Sequence, residues 1–145
     1  MDSIRKAIAY VTRQGPTGTR ELLVFEHRDY PEAGTQIPAG TVNEWETPEH
    51  AVTREIEEES GLEGCGLVKK LAVYDWLNPE TGQMNERHVF HLEAPPNTAE
   101  RWTWVETDGG KVLELEGYVF QFRWVQLDAP VDLAGDQGDH LDLIR

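Results

Sequence analysis

The sequence predicts an α+β domain, with a mixed sheet packed against helices. Three observations carry that prediction. Runs of β-branched and aromatic residues lie on both sides of one strongly marked helical segment. Within 118–125, Tyr118, Phe120, Phe122 and Trp124 alternate with Val119, Gln121, Arg123 and Val125, the two-residue period of a strand. The 145 residues, 39% hydrophobic and 28% charged, suit one folded domain with a single core, and nothing divides residues 1–145 further.

The elements follow in order. Ala7 to Val11 is a short β-like run, and GPTGT marks a turn before a second apolar run, Leu22 to Phe25. Residues 27–39, HRDYPEAGTQIPA, carry prolines and a glycine and read as a loop or irregular strand. A helix comes next. Strands are expected at Leu67 to Leu77, Arg87 to Glu93, Arg101 to Val105 and Gly117 to Leu127. PPNT at 95–98 and DGG at 108–110 read as turns, and a short closing helix is expected around Asp136 to Ile144. The four alternating aromatics are expected in the core.

The helix is the best-marked element. Thr47 suits the N-cap, Pro48 the first helical position, and Glu49 the positive end of the dipole. Gly61 stands where a left-handed C-terminal cap belongs, giving a helix from Pro48 to Ser60. At 100° per residue, Ala51, Val52, Glu55, Glu58 and Glu59 share one side, while Glu57 points nearly opposite. Glu55 with Glu58 and Glu55 with Glu59 are like-charge neighbours, each costing about 0.2–0.5 kcal/mol. Glu58 and Glu59 also face the negative end of the helix dipole. Arg54 can pair with Glu58, but one arginine does not neutralise three acids. A hard divalent cation does, since Mg²⁺ prefers oxygen ligands. The bland alternative is a solvated acidic face, which is what most glutamate runs are.

Composition narrows the functional classes. A formal charge of −14 opposes non-specific binding to nucleic acid backbones. No apolar run reaches the roughly 20 residues needed to span a bilayer, so no membrane partner is expected. Cys65, the only cysteine, excludes an intrachain disulfide and a cysteine-built zinc site. No secretory signal is read at the N-terminus, so a cytoplasmic protein is expected. None of the histidines shows metal-ligand spacing.

With its flanks, the helix resembles the signature of the Nudix hydrolases. Gly40 is followed by five residues and Glu46, then seven more lead to Arg54, Glu55, Ile56, Glu57, Glu58, Glu59, Ser60, Gly61 and Leu62. Every fixed position of the Nudix pattern is filled, on a loop and helix predicted independently. The resemblance implies a Nudix-type αβα sandwich, with the acidic helix on one side of a mixed sheet. It implies divalent-metal-dependent hydrolysis of a pyrophosphate link in a nucleoside diphosphate joined to another group, with Mg²⁺ as cofactor and Mn²⁺ as substitute.

Residue roles follow from the same resemblance. Glu58 and Glu59 become metal ligands, and Glu55 a further ligand or the group that orients or deprotonates water. Glu46 contacts metal through water or fixes the loop. Arg54 holds the carboxylates, Gly40 permits a tight turn, and the carbonyl of Ala39 is a ligand. A later acid often joins such sites; Glu116 is the first candidate here and Glu114 the second. Arg28 and Arg87 are candidates for substrate phosphate. PAG before the loop, with Pro79 after the box, resembles members that cleave ADP-ribose and nucleoside diphosphate sugars. Nucleoside triphosphates and dinucleoside polyphosphates stay open, as do a non-catalytic nucleotide-binding regulator and an acidic interaction domain. The expected partner is a small nucleotide, with a homodimer left open.

Overall fold

A computed structural model of the protein describes residues 3–108, 111–112 and 118–145. Strands β1 (Ile4–Gln14) and β2 (Arg20–His27) form the first hairpin. They are followed by β3 (Ala39–Thr41), α1 (Pro48–Ser60), β4 (Gly66–Leu77) and β5 (Met84–Glu93). Then come β6 (Arg101–Val105), a short pair β7 (Thr107–Asp108) and β8 (Lys111–Val112), and β9 (Val119–Gln126). The main sheet has seven strands in the order β4-β5-β1-β2-β9-β6, with β3 pairing β1 off that path. It is mixed, because β1 runs parallel to β5 while the other pairs are antiparallel.

The sheet forks at β1. Only Thr12, Arg13 and Gln14 pair with β2, at Leu22, Glu21 and Arg20. Nearer its start the same edge of β1 pairs with β3, Lys6 with Thr41 and Ile8 with Ala39. Strand β3 therefore enters the opening between β1 and β2 and delivers the loop and helix that follow. HRDYPEAGTQIPA, expected to be loop or irregular strand, is irregular, with a 3₁₀ turn at Pro31–Ala33, isolated bridges at Thr35 and Gln36, and only Ala39 joining β3.

Both faces of the sheet are covered. On one, Ala7, Ala9 and Val11 of β1 pack with Phe25, Phe90, Phe120 and Phe122, beneath Ala51, Val52 and Ile56 of α1. On the other, Ile8 and Tyr10 pack with Val24, Ile37, Val89, Leu133 and Leu141. That double burial explains why β1 reads as a continuous apolar run rather than an alternating one. Tyr118, expected in the core with the other aromatics, lies just before β9 and is 41% exposed. The closing segment is not one helix. It forms two 3₁₀ turns, Ala134–Asp136 and Leu141–Ile144. Gly135 and Asp136 adopt positive φ, which interrupts any continuous helix. The fold is the expected α+β sandwich, with this pair of turns as its third layer. Among the described residues no helix is long and apolar enough to cross a membrane.

Helix α1 has the expected ends. Thr47 Oγ1 accepts from His50 N at 3.1 Å, Pro48 is at the first turn, and Gly61 is left-handed at φ 77°. Two tryptophans of β6 tie its other end to the sheet: Trp102 Nε1 donates to Ser60 O at 2.8 Å and Trp104 Nε1 to Glu58 O at 3.0 Å. They occupy carbonyls that the last turn of a helix leaves without partners.

Candidate active site

Thr41, Glu46 and α1 are held together by Arg54. Its Nε and Nη2 donate to Glu46 Oε2 and Oε1 at 2.9 and 2.7 Å, and Nη2 also reaches Thr41 O at 3.0 Å. Its Nη1 donates to Glu55 Oε1 and Glu58 Oε1, both at 2.8 Å. Glu46 is fully enclosed. Besides Arg54, its oxygens take the Asn43 amide at 3.0 Å and His50 Nδ1 at 2.6 Å. These bonds, the Arg54 pair foremost, pull its carboxyl down to about 2.

The acids further along the helix experience the opposite environment. Burial, eased by Arg54, pushes the Glu55 carboxyl up to about 7. Burial, with Glu55 and Glu106 close by, pushes Glu59 up as well. Glu59 Oε1 accepts the Ala39 amide at 2.8 Å, pinning helix to β3. Oxygens from Glu55, Glu59 and Glu106 all lie within 4.8 Å of one another. Glu55, Glu58 and Glu106 line a cavity of about 340 Å³, Glu58 while bonded to Arg54. Glu57 is exposed on the far side.

Glu106 was not anticipated from sequence. It follows β6, whose Trp104 is fixed to α1 and lies under Gly61; a Cβ there would come within 2.6 Å of the indole. The Glu106 amide donates to Tyr118 O at 2.9 Å, continuing the β6–β9 pairing. The available signal was WTWVE itself, an acid directly after a strand whose tryptophans seek helix carbonyls. Glu114 and Glu116, the acids singled out instead, lie outside the described residues.

One other sequence reading changes. Gly40, expected to permit a tight turn, lies in β3 without a positive φ, and any side chain there would overlap the Glu55 carboxyl. Its smallness makes room for the acid. Arg28 lines neither of the two cavities at β3; it is half-exposed and forks onto adjacent Asp29 at 3.1 and 3.2 Å. Arg87, by contrast, is buried in a second cavity of about 270 Å³, which shares Lys6, Ala39 and Gly40 with the acidic one.

Residues 4–145 match the NUDIX domain family. The curated RNA pyrophosphohydrolase of Hydrogenovibrio crunogenus is 28% identical over 108 residues, covering 67% of this chain and 64% of that protein's length. The crystal structure of a MutT NUDIX hydrolase from Burkholderia pseudomallei superposes with a TM-score of 0.65 at 26% identity, covering 100% of both chains. The NUDIX domain of Shewanella oneidensis NrtR, solved with ADP ribose, gives a TM-score of 0.66 at 16% identity over 99% of this chain and 85% of that one, a likeness of fold alone. Signature, fold and family match coincide, and the chain belongs to the NUDIX domain family.

Proposed function

We propose that the protein is a divalent-metal-dependent pyrophosphohydrolase, cleaving a phosphoric anhydride in a nucleoside diphosphate joined to another group. The observation that carries this reading is the convergence of Glu55, Glu59 and Glu106 within 4.8 Å of one another, where Glu55 and Glu106 line an open cavity and Glu59 is buried beside them. Three carboxylates so placed, two of them buried, are costly without a cation between them. An all-oxygen donor set suits a hard cation, Mg²⁺ or in its place Mn²⁺.

Glu59 and Glu106, with Glu55 within 4.8 Å of both, would hold such an ion, and Glu58 and the Ala39 carbonyl, on the wall of the adjoining cavity, would be further ligands. The ion would supply charge neutralisation at the phosphoryl oxygens and acidify water. The chain's own groups do the rest. Glu55, its carboxyl near 7 and hydrogen-bonded to Arg54, either completes the ligand set or accepts the proton of attacking water. Arg54 fixes Glu55 and Glu58 in one orientation, which keeps the donors preorganised. Glu46, with its oxygens already bonded, anchors the loop to the helix rather than serving as a ligand.

The test is turnover. The protein is incubated with Mg²⁺ and a panel of nucleoside triphosphates, nucleoside diphosphate sugars and dinucleoside polyphosphates. Phosphate is measured with and without a phosphatase. Mg²⁺-dependent cleavage of at least one class is expected. No turnover at neutral or alkaline pH, with Mn²⁺ also tried, contradicts the proposal.

A further inference from the structure

Beside the crowded acids lies a second electrostatic misfit, of opposite sign. Lys6 and Arg87 are direct neighbours in the parallel β1–β5 register. Like charges placed opposite one another on adjacent strands repel. Neither residue has a carboxylate at ion-pair distance among the described residues. Lys6 Nζ donates to Thr41 Oγ1 at 2.8 Å. Arg87 Nη1 donates to Gly135 O at 2.7 Å and Tyr74 OH at 3.2 Å. Its Nε is enclosed without a hydrogen-bond partner, and Nη2 meets no acceptor among the described residues.

Arg87 is nonetheless held firmly. Its guanidinium stacks 3.8 Å from the Trp76 ring centroid, and Trp76 is fixed in turn by Asp136 Oδ2 at 2.6 Å. A buried guanidinium with no paired carboxylate among the described residues calls for an anion, and Nη2 is the donor left to meet a phosphate in the cavity that Arg87 lines. The placement points the same way. Lys6 borders both cavities and feels Glu55 and Glu59 on one side and Arg87 on the other. When a divalent cation takes up the negative charge of the acids, Lys6 and Arg87 are left as surplus positive charge beside it.

We propose that the Lys6–Arg87 cavity is a phosphoryl subsite continuous with the acidic cavity, occupied by a phosphoryl group beyond the two that flank the cleaved bond. This rests on the hydrolase reading and narrows it. The group joined to the nucleoside diphosphate then begins with phosphate, as in nucleoside triphosphates and dinucleoside polyphosphates. Nucleoside diphosphate sugars lack that group. The sugar-linked substrates that PAG and Pro79 suggest are correspondingly disfavoured.

Binding and kinetics test it separately. In metal-free buffer with chelator, melting of the full chain is followed with inorganic tripolyphosphate against chloride at matched ionic strength. Tripolyphosphate should raise the wild-type Tm. Arg87→Gln and Lys6→Gln should each lose most of that rise, and Arg87→Lys should keep part of it. If Arg87→Gln does not fold, Lys6→Gln carries the same comparison. An equal rise in wild type and in the glutamine variants would overturn the subsite. So would an equal rise with an unphosphorylated nucleoside, which would mark a base pocket. In turnover, Arg87→Gln should lower the ratio of kcat/KM for a nucleoside triphosphate over a nucleoside diphosphate sugar by about tenfold or more. An unchanged ratio also overturns it. If nothing is hydrolysed while tripolyphosphate still stabilises the wild type, the hydrolase reading fails and the anion site stands.

Discussion

Arg54 grips Glu46 with two parallel hydrogen bonds, at 2.9 and 2.7 Å, across eight residues of chain. The pair closes the loop between β3 and α1, and its carboxylate is wholly enclosed. Removing the charge should therefore loosen the loop rather than empty a ligand position. Glu46→Gln is expected to cost about 2–4 kcal/mol at pH 7, measured by denaturant unfolding. The sign with pH is fixed by the lowered carboxyl. Its contribution is present above the usual carboxylate range and disappears as pH falls to about 2. The gap between wild type and variant should shrink across that interval. A gap independent of pH would mean that the ion pair does not carry the effect.

Gly40 makes room for Glu55, since any side chain there would overlap the Glu55 carboxyl. Gly40→Ala should displace that acid and reduce turnover by about a hundredfold, while the strand survives because Gly40 needs no left-handed backbone. Near-normal turnover with an unchanged melting temperature would show that Glu55 need not stand where it does.

Glu55 titrates in the opposite sense to Glu46. A carboxyl raised to about 7 contributes stability in its protonated form. That contribution is full below the usual carboxylate range and is lost as pH rises through about 7. In metal-free buffer, Glu55→Gln should gain stability over wild type between pH 5 and pH 8, and Mg²⁺ should reverse the order at pH 8. His27 and His91, whose burial lowers their pKa, titrate in both proteins and cancel in the comparison. A flat difference from pH 5 to 8 would contradict the burial of this charge.

Much of this is legible in the sequence. The helix between Thr47 and Gly61 was legible because capping residues and the 3.6-residue period act locally. The split between Glu57 and the inward acids follows from the same period. Glu106 was missed because its position depends on Trp102 and Trp104 finding helix carbonyls 42 and 46 residues away in sequence. The Lys6–Arg87 pairing was equally hidden, since it exists only through strand register across the sheet. The closing 3₁₀ turns read as a helix because Leu133, Leu141 and Ile144 do pack on the sheet. The backbone reversals at Gly135 and Asp136 leave little trace in an apolar pattern.

The proposed metal site is tested most directly by titrating Mn²⁺ into the protein and following free Mn²⁺ by electron paramagnetic resonance. Wild type and Glu57→Gln, whose side chain is exposed away from the cavity, should bind alike. Glu59→Gln and Glu106→Gln should each weaken binding by about tenfold or more. Undiminished Mn²⁺ binding in both of those variants would contradict the assignment of this carboxylate cluster as the metal site.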